Sequence, residues 1–414
     1  MSAELVVENA SLYGRDRTVD IGITSGTIEA LGTDLDGETT IDAAGGLVAG
    51  GFLDPHAHVD KSLLAGNVPP NESGTLEEAI VNNQQRKTEY TVEGVRERAV
   101  ATIESHVANG CTRLRTHVDV DSYCGLTALD GVLEAVEDCQ DIAEVQVIAF
   151  PQEGIVQDPG TVDRLREALE RGADLLGGMP DNERIDADRR KHVDICLDLA
   201  AEYEVPLDLH VDETDTPNAR SLEYLATRVL EIGFDHGVTA GHMCSLAAYD
   251  DTHANRVINL VAESGLKMVT NPPANLLVQG VHDSHPKRRG TTRVDELLAA
   301  DITVAAGQDG VQNGFYPYGR GSMLEVALIT AHATHLQAPS ERATAWEMVT
   351  GSAAAVMDLP YGIESGKPAV LNVFSPDIQT YQDALSQLRP PRFVLHHGDV
   401  VATNEFESTV RPTE

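Results

Sequence analysis

At 414 residues, with 66 acidic side chains against 30 basic ones and a formal net charge of −36, the chain is long enough for one large barrel or two to three ordinary domains. The acidic excess is spread along the sequence, which argues against nucleic acid as a partner, since phosphate backbones are held by lysine and arginine. It reads instead as a halophile's surface, adapted to molar salt where screening suppresses self-repulsion.

The N-terminal stretch MSAELVVENASLYGRDR lacks the basic start and apolar run of a signal peptide, and no segment reaches 18 uninterrupted apolar residues, so a cytoplasmic protein without a membrane span is expected. Five cysteines with no CxxC pair fit neither a disulfide framework nor a cysteine-type zinc site and are read as buried, reduced thiols. In chain order, ELVVENASLY, VDIGITSGTIEALG and TTIDAA are short β-like runs punctuated by Gly and Asp turns. Similar runs, AVLNVFS and RFVLHHGDVVAT, return near the other end. The two termini, 1–48 and 363–414, are therefore predicted to complete one small β-sandwich domain.

Between them, residues 49–362 alternate apolar strands with amphipathic helices such as TVDRLREALERGADLL and HVDICLDLAAEYE, the pattern of βα units around a parallel sheet. Eight strand candidates can be counted: LVAGGFLDPHAH, TRLRTHVDV, VQVIAFPQ, DLLGGMP, PLDLHVDE, GVTAGHM, LKMVTNP and ITVAAGQD. The predicted class is α/β, a (β/α)8 barrel, and such barrels place their chemistry at the C-terminal ends of the strands. Most of the candidates end in polar residues there: His56 and His58, His117 and Asp119, Gln152, His210 with Asp212 and Glu213, His242, Asn271, and Asp309.

His56 and His58 are two residues apart on a strand and so face one point. Alone, the pair is either half of a metal site or two hydrogen-bonded core histidines. Together with His210, His242 and Asp309 at the same barrel mouth, it supplies the three or four ligands that a catalytic metal with an open position needs. A divalent ion lowers the pKa of water from 15.7 towards about 7. Asp309 beside that water can accept its proton, Glu213 can act as the acid for a ring nitrogen, and His242 can stabilise the tetrahedral centre.

The blocks DPHAHVDKS, RLRTHVDVD, VIAFPQEG, LHVDETD, VTAGHM, HPKRRGTTRV and GQDGVQNGFYPYGRGSM resemble the amidohydrolase superfamily over nearly the whole chain. Within it they resemble the bacterial cytosine deaminases and isopropylammelide amidohydrolases. The resemblance implies that His56, His58, His210 and Asp309 hold a single divalent ion, zinc or iron. It implies that His242 contacts the water at the metal, that Glu213 shuttles protons, and that Gln152 reads the amide edge of the ring with both a donor and an acceptor. GGMPDN has no lysine for the bridge of the family's binuclear members. Lys61 either touches substrate or closes a loop salt bridge; His117 and Asp119 either orient the ligands or are bonded in the core. The KRR of HPKRRG either steers an anion or pairs with the acidic surface, and Cys244 is read as an apolar filler.

Gly310 and Phe315 stand where cytosine deaminases carry a second aspartate and a tryptophan, which implies a roomier pocket beside the leaving amine, with Phe315 on the substrate. The expected function is metal-dependent hydrolytic deamination of a pyrimidine-like N-heterocycle, cytosine or a substituted cytosine, by a homo-oligomer. The alternatives are an aminotriazine, creatinine or another cyclic amidine as substrate, or a barrel that has lost catalysis. A cytidine-deaminase zinc fold is excluded by the missing PCxxC.

Overall fold

The computed structural model describes residues 3–411, so the outermost residues of both predicted terminal segments, 1–2 and 412–414, lie outside it. Eight parallel strands follow one another around a barrel: β1 (Phe52–Ala57), β2 (Cys111–Asp119), β3 (Glu144–Phe150), β4 (Leu175–Gly178), β5 (Leu207–Val211), β6 (Val238–His242), β7 (Lys267–Thr270) and β8 (Val304–Ala306). The ring closes just past the ends of β8 and β1, where the Asp309 amide donates to the His56 carbonyl at 2.8 Å and the His58 amide to the Asp309 carbonyl at 3.1 Å. This closure brings the first and eighth strands' polar ends together.

Each strand is covered on both faces, so it reads as a buried run rather than an alternation; all nine residues of β2 are buried. The outer helices bury one stripe. In Thr161–Arg171, Leu165, Ala168 and Leu169 face the barrel at helical spacing, and Gly172 ends the helix in a left-handed conformation (φ 116°). The barrel core is continuous from Phe52 through Leu114, Leu176 and Leu209 to Val304 and Met323.

The terminal segments form two four-stranded sheets. Ala3–Ala10, Val19–Thr24, Thr27–Gly32 and Gly37–Asp42 make the first, and Val48–Gly50, Leu371–Val373, Phe393–His396 and Asp399–Thr403 the second. Val7, Ile21, Ile23 and Ile28 of one pack with Val48, Leu371, Val373 and Leu395 of the other, so both chain ends share one apolar cluster. The run VDIGITSGTIEALG is two strands, because Ser25 (φ 49°) and Gly26 (φ 73°) form a tight hairpin turn with both residues left-handed. A side chain at Gly26 would put its Cβ 2.9 Å from the His397 carbonyl. All five cysteines are buried and free, and no helix among the described residues is long and apolar enough to cross a membrane.

Candidate active site

The C-terminal rim of the barrel carries a tight group of imidazoles. His210 Nε2, at the end of β5, lies 3.2 Å from His56 Nε2 and 3.1 Å from His58 Nε2. Asp309 Oδ1, just beyond β8, lies 3.3 Å from His58 Nε2. Burial, with the neighbouring cations and imidazoles, holds His56, His58 and His210 well below the ordinary histidine pKa, so their nitrogens face one another as neutral bases. Ligands about 2.1 Å from a shared tetrahedral centre sit roughly 3.4 Å apart, close to these separations. The donor set therefore fits a divalent metal, and these His and Asp residues are positioned to bind one.

Residues beneath the cluster fix it. Asp54 Oδ1 accepts the amides of His56 (3.2 Å) and Gln308 (3.1 Å), tying β1 to the chain after β8, while its Oδ2 meets His106 Nε2 at 3.1 Å. His58 Nδ1 is 3.2 Å from the His117 carbonyl, which selects the Nδ1–H tautomer and leaves Nε2 free as a base. His117 and Asp119 do not act as a pair. The His117 ring packs 4.2 Å from that of His56 and points down to Asp208 (3.4 Å), which also binds Arg115 at 2.9 Å. Asp119 instead takes two lysines, Lys61 and Lys87.

The opposite wall carries the acid and base groups. Glu213 Oε1 lies 3.2 Å from His242 Nδ1, and burial, reinforced by the nearby carboxylates Asp309 and Asp181, pushes Glu213 well above the ordinary glutamate value. Its backbone is held by Asp181 Oδ2, which accepts the Glu213 amide at 2.8 Å, and by Gln279 Nε2, which donates to its carbonyl at 3.0 Å. Asn271 Nδ2 meets His242 Nε2 at 3.2 Å, and Asn275 Nδ2 donates to Glu213 Oε1 at 3.2 Å. Asn275 was not singled out from the sequence, yet in NPPANLL it stands four residues after Asn271, and so on the same helix face. His242 and Asp309 both adopt left-handed backbone (φ 71° and 64°), strain of roughly 1–3 kcal/mol each that the surrounding bonds sustain.

Between these walls lies a small slot of about 30 Å³. Leu76, Phe150, Met179, Val278 and Phe315 make its apolar faces, and Lys61 and Gln152 close one edge. Lys61 does more than close a loop: it is 1% exposed, and its Nζ donates at 2.5 Å to both Asp119 Oδ1 and Gln152 Oε1. Lys61 takes one lone pair of the Gln152 oxygen, and the side chain keeps its NH2 donors and a second acceptor lone pair. Arg288, in the KRR run, pairs with Asp283 at 2.7 Å, and Cys244 is buried filler. Past Leu76, Met179, Glu213 and Val278 the slot opens into an outer cavity of about 470 Å³.

The expected roominess at Gly310 is not found. A Cβ there would lie 2.6 Å from Asn313 Nδ2. The Asn313 side chain is held in place because its Oδ1 accepts the amides of Phe315 (3.0 Å) and Tyr316 (2.8 Å). The space a larger residue would use is filled from three positions along the same loop.

A barrel of eight parallel strands with a histidine and aspartate cluster at its C-terminal rim defines a metal-binding hydrolase of the amidohydrolase type. The amidohydrolase family model matches residues 177–402. N-isopropylammelide isopropyl amidohydrolase of Pseudomonas sp. (strain ADP) is 32% identical over 413 residues, covering 97% of this chain and 98% of that protein. Pterin deaminase of Rhizobium rhizogenes is 32% identical over 368 residues, covering 87% and 82%. Among solved structures, 5-methylcytosine deaminase from Klebsiella pneumoniae, liganded with 5-fluorocytosine, superposes with a TM-score of 0.93 at 33% identity, covering 98% of this chain and 99% of that one. This chain belongs to the amidohydrolase family and is a hydrolase acting on C–N bonds.

Proposed function

We propose that the protein deaminates a pyrimidine-like N-heterocycle, cytosine or a substituted cytosine preferred, and releases ammonia with the help of one divalent ion per chain, zinc or iron. The observation that carries this reading is the placement of Glu213, His242 and Asp309 with ligand atoms within 4.8 Å of one another, against the His56–His58–His210 cluster and beside the slot lined by Phe150 and Phe315. The likeness to 5-methylcytosine deaminase supports the choice of ring.

In this reading His56, His58, His210 and Asp309 hold the ion, which when bound lowers the pKa of water towards about 7. Asp309 takes the proton of the attacking water. Glu213, kept protonated by its buried setting, gives its proton to the ring nitrogen next to the C–NH2 carbon, takes up the proton of the tetrahedral hydroxyl and delivers it to the leaving amine, so that ammonia departs, a ring carbonyl remains, and the proton held by Asp309 returns to Glu213. His242 hydrogen-bonds the oxygen at the tetrahedral carbon. The apolar faces around Phe150 and Phe315 sandwich the ring, and Lys61 with Gln152 binds its oxo edge. Residues 49–362 carry this chemistry, with 1–48 and 363–414 as the sandwich domain.

A second reading, release of an amine from an aminotriazine, draws on the isopropylammelide relative and on the donors that Lys61 and Gln152 bring to one edge. The test is an ammonia and amine release screen of the zinc- and iron-loaded protein with cytosine, 5-methylcytosine, N-isopropylammelide and pterin. The highest kcat/KM on a pyrimidine is expected. Turnover of the triazine alone would move the assignment to the second reading, and turnover of pterin alone, or of adenine or creatinine alone when these are added to the screen, would overturn both.

A further inference from the structure

The chain has six lysines, and two of them, Lys61 and Lys87, are each 1% exposed and share one carboxylate, that of Asp119. Burying two ammonium groups is costly unless each is fully paired. Lys87 is: its Nζ donates to Asp121 Oδ2 and Glu153 Oε1 at 2.6 Å each and forms an ion pair with Asp119 Oδ2 at 2.9 Å. These partners sit at the ends of β2 and β3, on the rim where the chemistry lies. Glu153 directly follows Gln152, and its other oxygen accepts Gln84 Nε2 at 2.5 Å.

Lys87 also ends the helix Leu76–Lys87, whose first residue, Leu76, forms part of the slot's apolar wall. One ammonium group therefore joins three things: the helix that walls the slot, the backbone that carries Gln152, and the carboxylate that aims Lys61. A lysine serving only to neutralise buried charge has no need to contact both the Asp119 that orients Lys61 and the residue next to Gln152.

Building on the proposed deamination, we infer that Lys87 is a positioning residue for recognition of the ring. By fixing Asp119 Oδ2 it sets Asp119 Oδ1 against Lys61, which in turn captures Gln152 Oε1 and leaves the Gln152 NH2 group facing the slot. The edge so built carries the Lys61 ammonium and the Gln152 side-chain amide, held in one arrangement. It selects rings that present a carbonyl there.

The test compares Lys87→Met, Lys87→Arg and the Lys87→Met/Asp121→Asn double variant, the last removing one of the two carboxylates, Asp121 and Glu153, that would otherwise lose their cation. Metal content, melting temperature, kcat and KM are measured on the best substrate of the screen. Calorimetric Kd is measured for 2-hydroxypyrimidine, a ring with the oxo edge but no amine to lose. The expected result is a rise of tenfold or more in KM and in this Kd for both Met variants, with kcat within about threefold and metal content unchanged, and partial recovery in Lys87→Arg. A folded Met variant with unaltered KM and Kd would overturn the assignment, as would binding losses that vanish when Asp121→Asn restores the melting temperature. The binding measurement separates the two ideas: a wild-type protein that deaminates none of the rings refutes the deaminase reading, while the Kd comparison still decides the role of Lys87.

Discussion

Glu213 Oε1 and His242 Nδ1 lie 3.2 Å apart on the wall facing the histidine cluster, and the Asn275 amide reaches both. The two side chains therefore work as one bonded unit held by a third. Burial acts on them in opposite directions: it pushes the Glu213 carboxyl up and the His242 imidazole down, to about 4. Both shifts favour the neutral form, which suits an acid paired with a hydrogen-bonding imidazole.

Glu213→Gln keeps the size and the bond to Asn275 but cannot give up a proton. We expect kcat to fall by about 10²- to 10⁴-fold, the range of general acid catalysis, with metal content unchanged by elemental analysis. Loss of metal in parallel would make Glu213 a ligand instead.

The convergence of His56, His58 and His210 Nε2 on one point leads to an expected stoichiometry of one ion per chain. Dialysis against a chelator should abolish activity, and re-addition of zinc or iron should restore it. His210→Ala, which removes the nitrogen central to both close contacts, should lower metal affinity by orders of magnitude. Two ions per chain after gentle purification would contradict the mononuclear reading.

Much of this site was legible because its signals are local. Two histidines two apart on a strand must share a face, and eight apolar runs that mostly end in polar residues are what a barrel buried on both faces requires. Lys87 was not legible. In LEEAIVNNQQRK a terminal lysine looks like ordinary exposed helix charge, and only the folded rim shows three carboxylates around it. The partner of Gln152 was hidden for the same reason: residue type gives its hydrogen-bonding capacity, but only the fold brings Lys61, 91 positions away, onto its oxygen. VDIGITSGTIEALG was read as a single run because a Ser-Gly hairpin turn is a weaker signal than Asn-Gly.

Asp181 supplies a pH prediction. Burial first, and then the nearby Asp212 carboxylate, raise it to about 7 from the ordinary aspartate value of 3.8. A carboxyl raised on folding contributes stability that is fully present below the unfolded value and lost as pH rises through the folded one. The loss should therefore run from about pH 4 to about pH 7. Asp181→Asn keeps an acceptor for the Glu213 amide and carries no charge, so its stability relative to wild type should improve by on the order of 1 kcal/mol between pH 5 and pH 8. Urea denaturation midpoints at the two pH values measure this, and a difference that does not change with pH would contradict it.

The last prediction concerns Gly310. Judged from the sequence, an aspartate here would restore a missing pocket carboxylate and re-rank substrates. The structure leads to a different result, because the new Cβ would meet Asn313, whose Oδ1 already accepts the amides of Phe315 and Tyr316. Gly310→Asp should displace that side chain, free the Phe315 and Tyr316 amides and shift Phe315 on the slot wall, at a cost of about 1–3 kcal/mol typical of overpacking. KM should rise for every ring tested rather than for some. Asn313→Gly alone also loses the two bonds, but combined with Gly310→Asp it opens the space the aspartate needs. The double variant should therefore be less destabilised than the sum of the single ones, by about 1 kcal/mol or more of coupling, in the range seen for residues in contact. Strict additivity in urea denaturation, or a Gly310→Asp protein as stable as wild type with only its substrate ranking changed, would show that the loop yields and that the pocket has the room its sequence suggested.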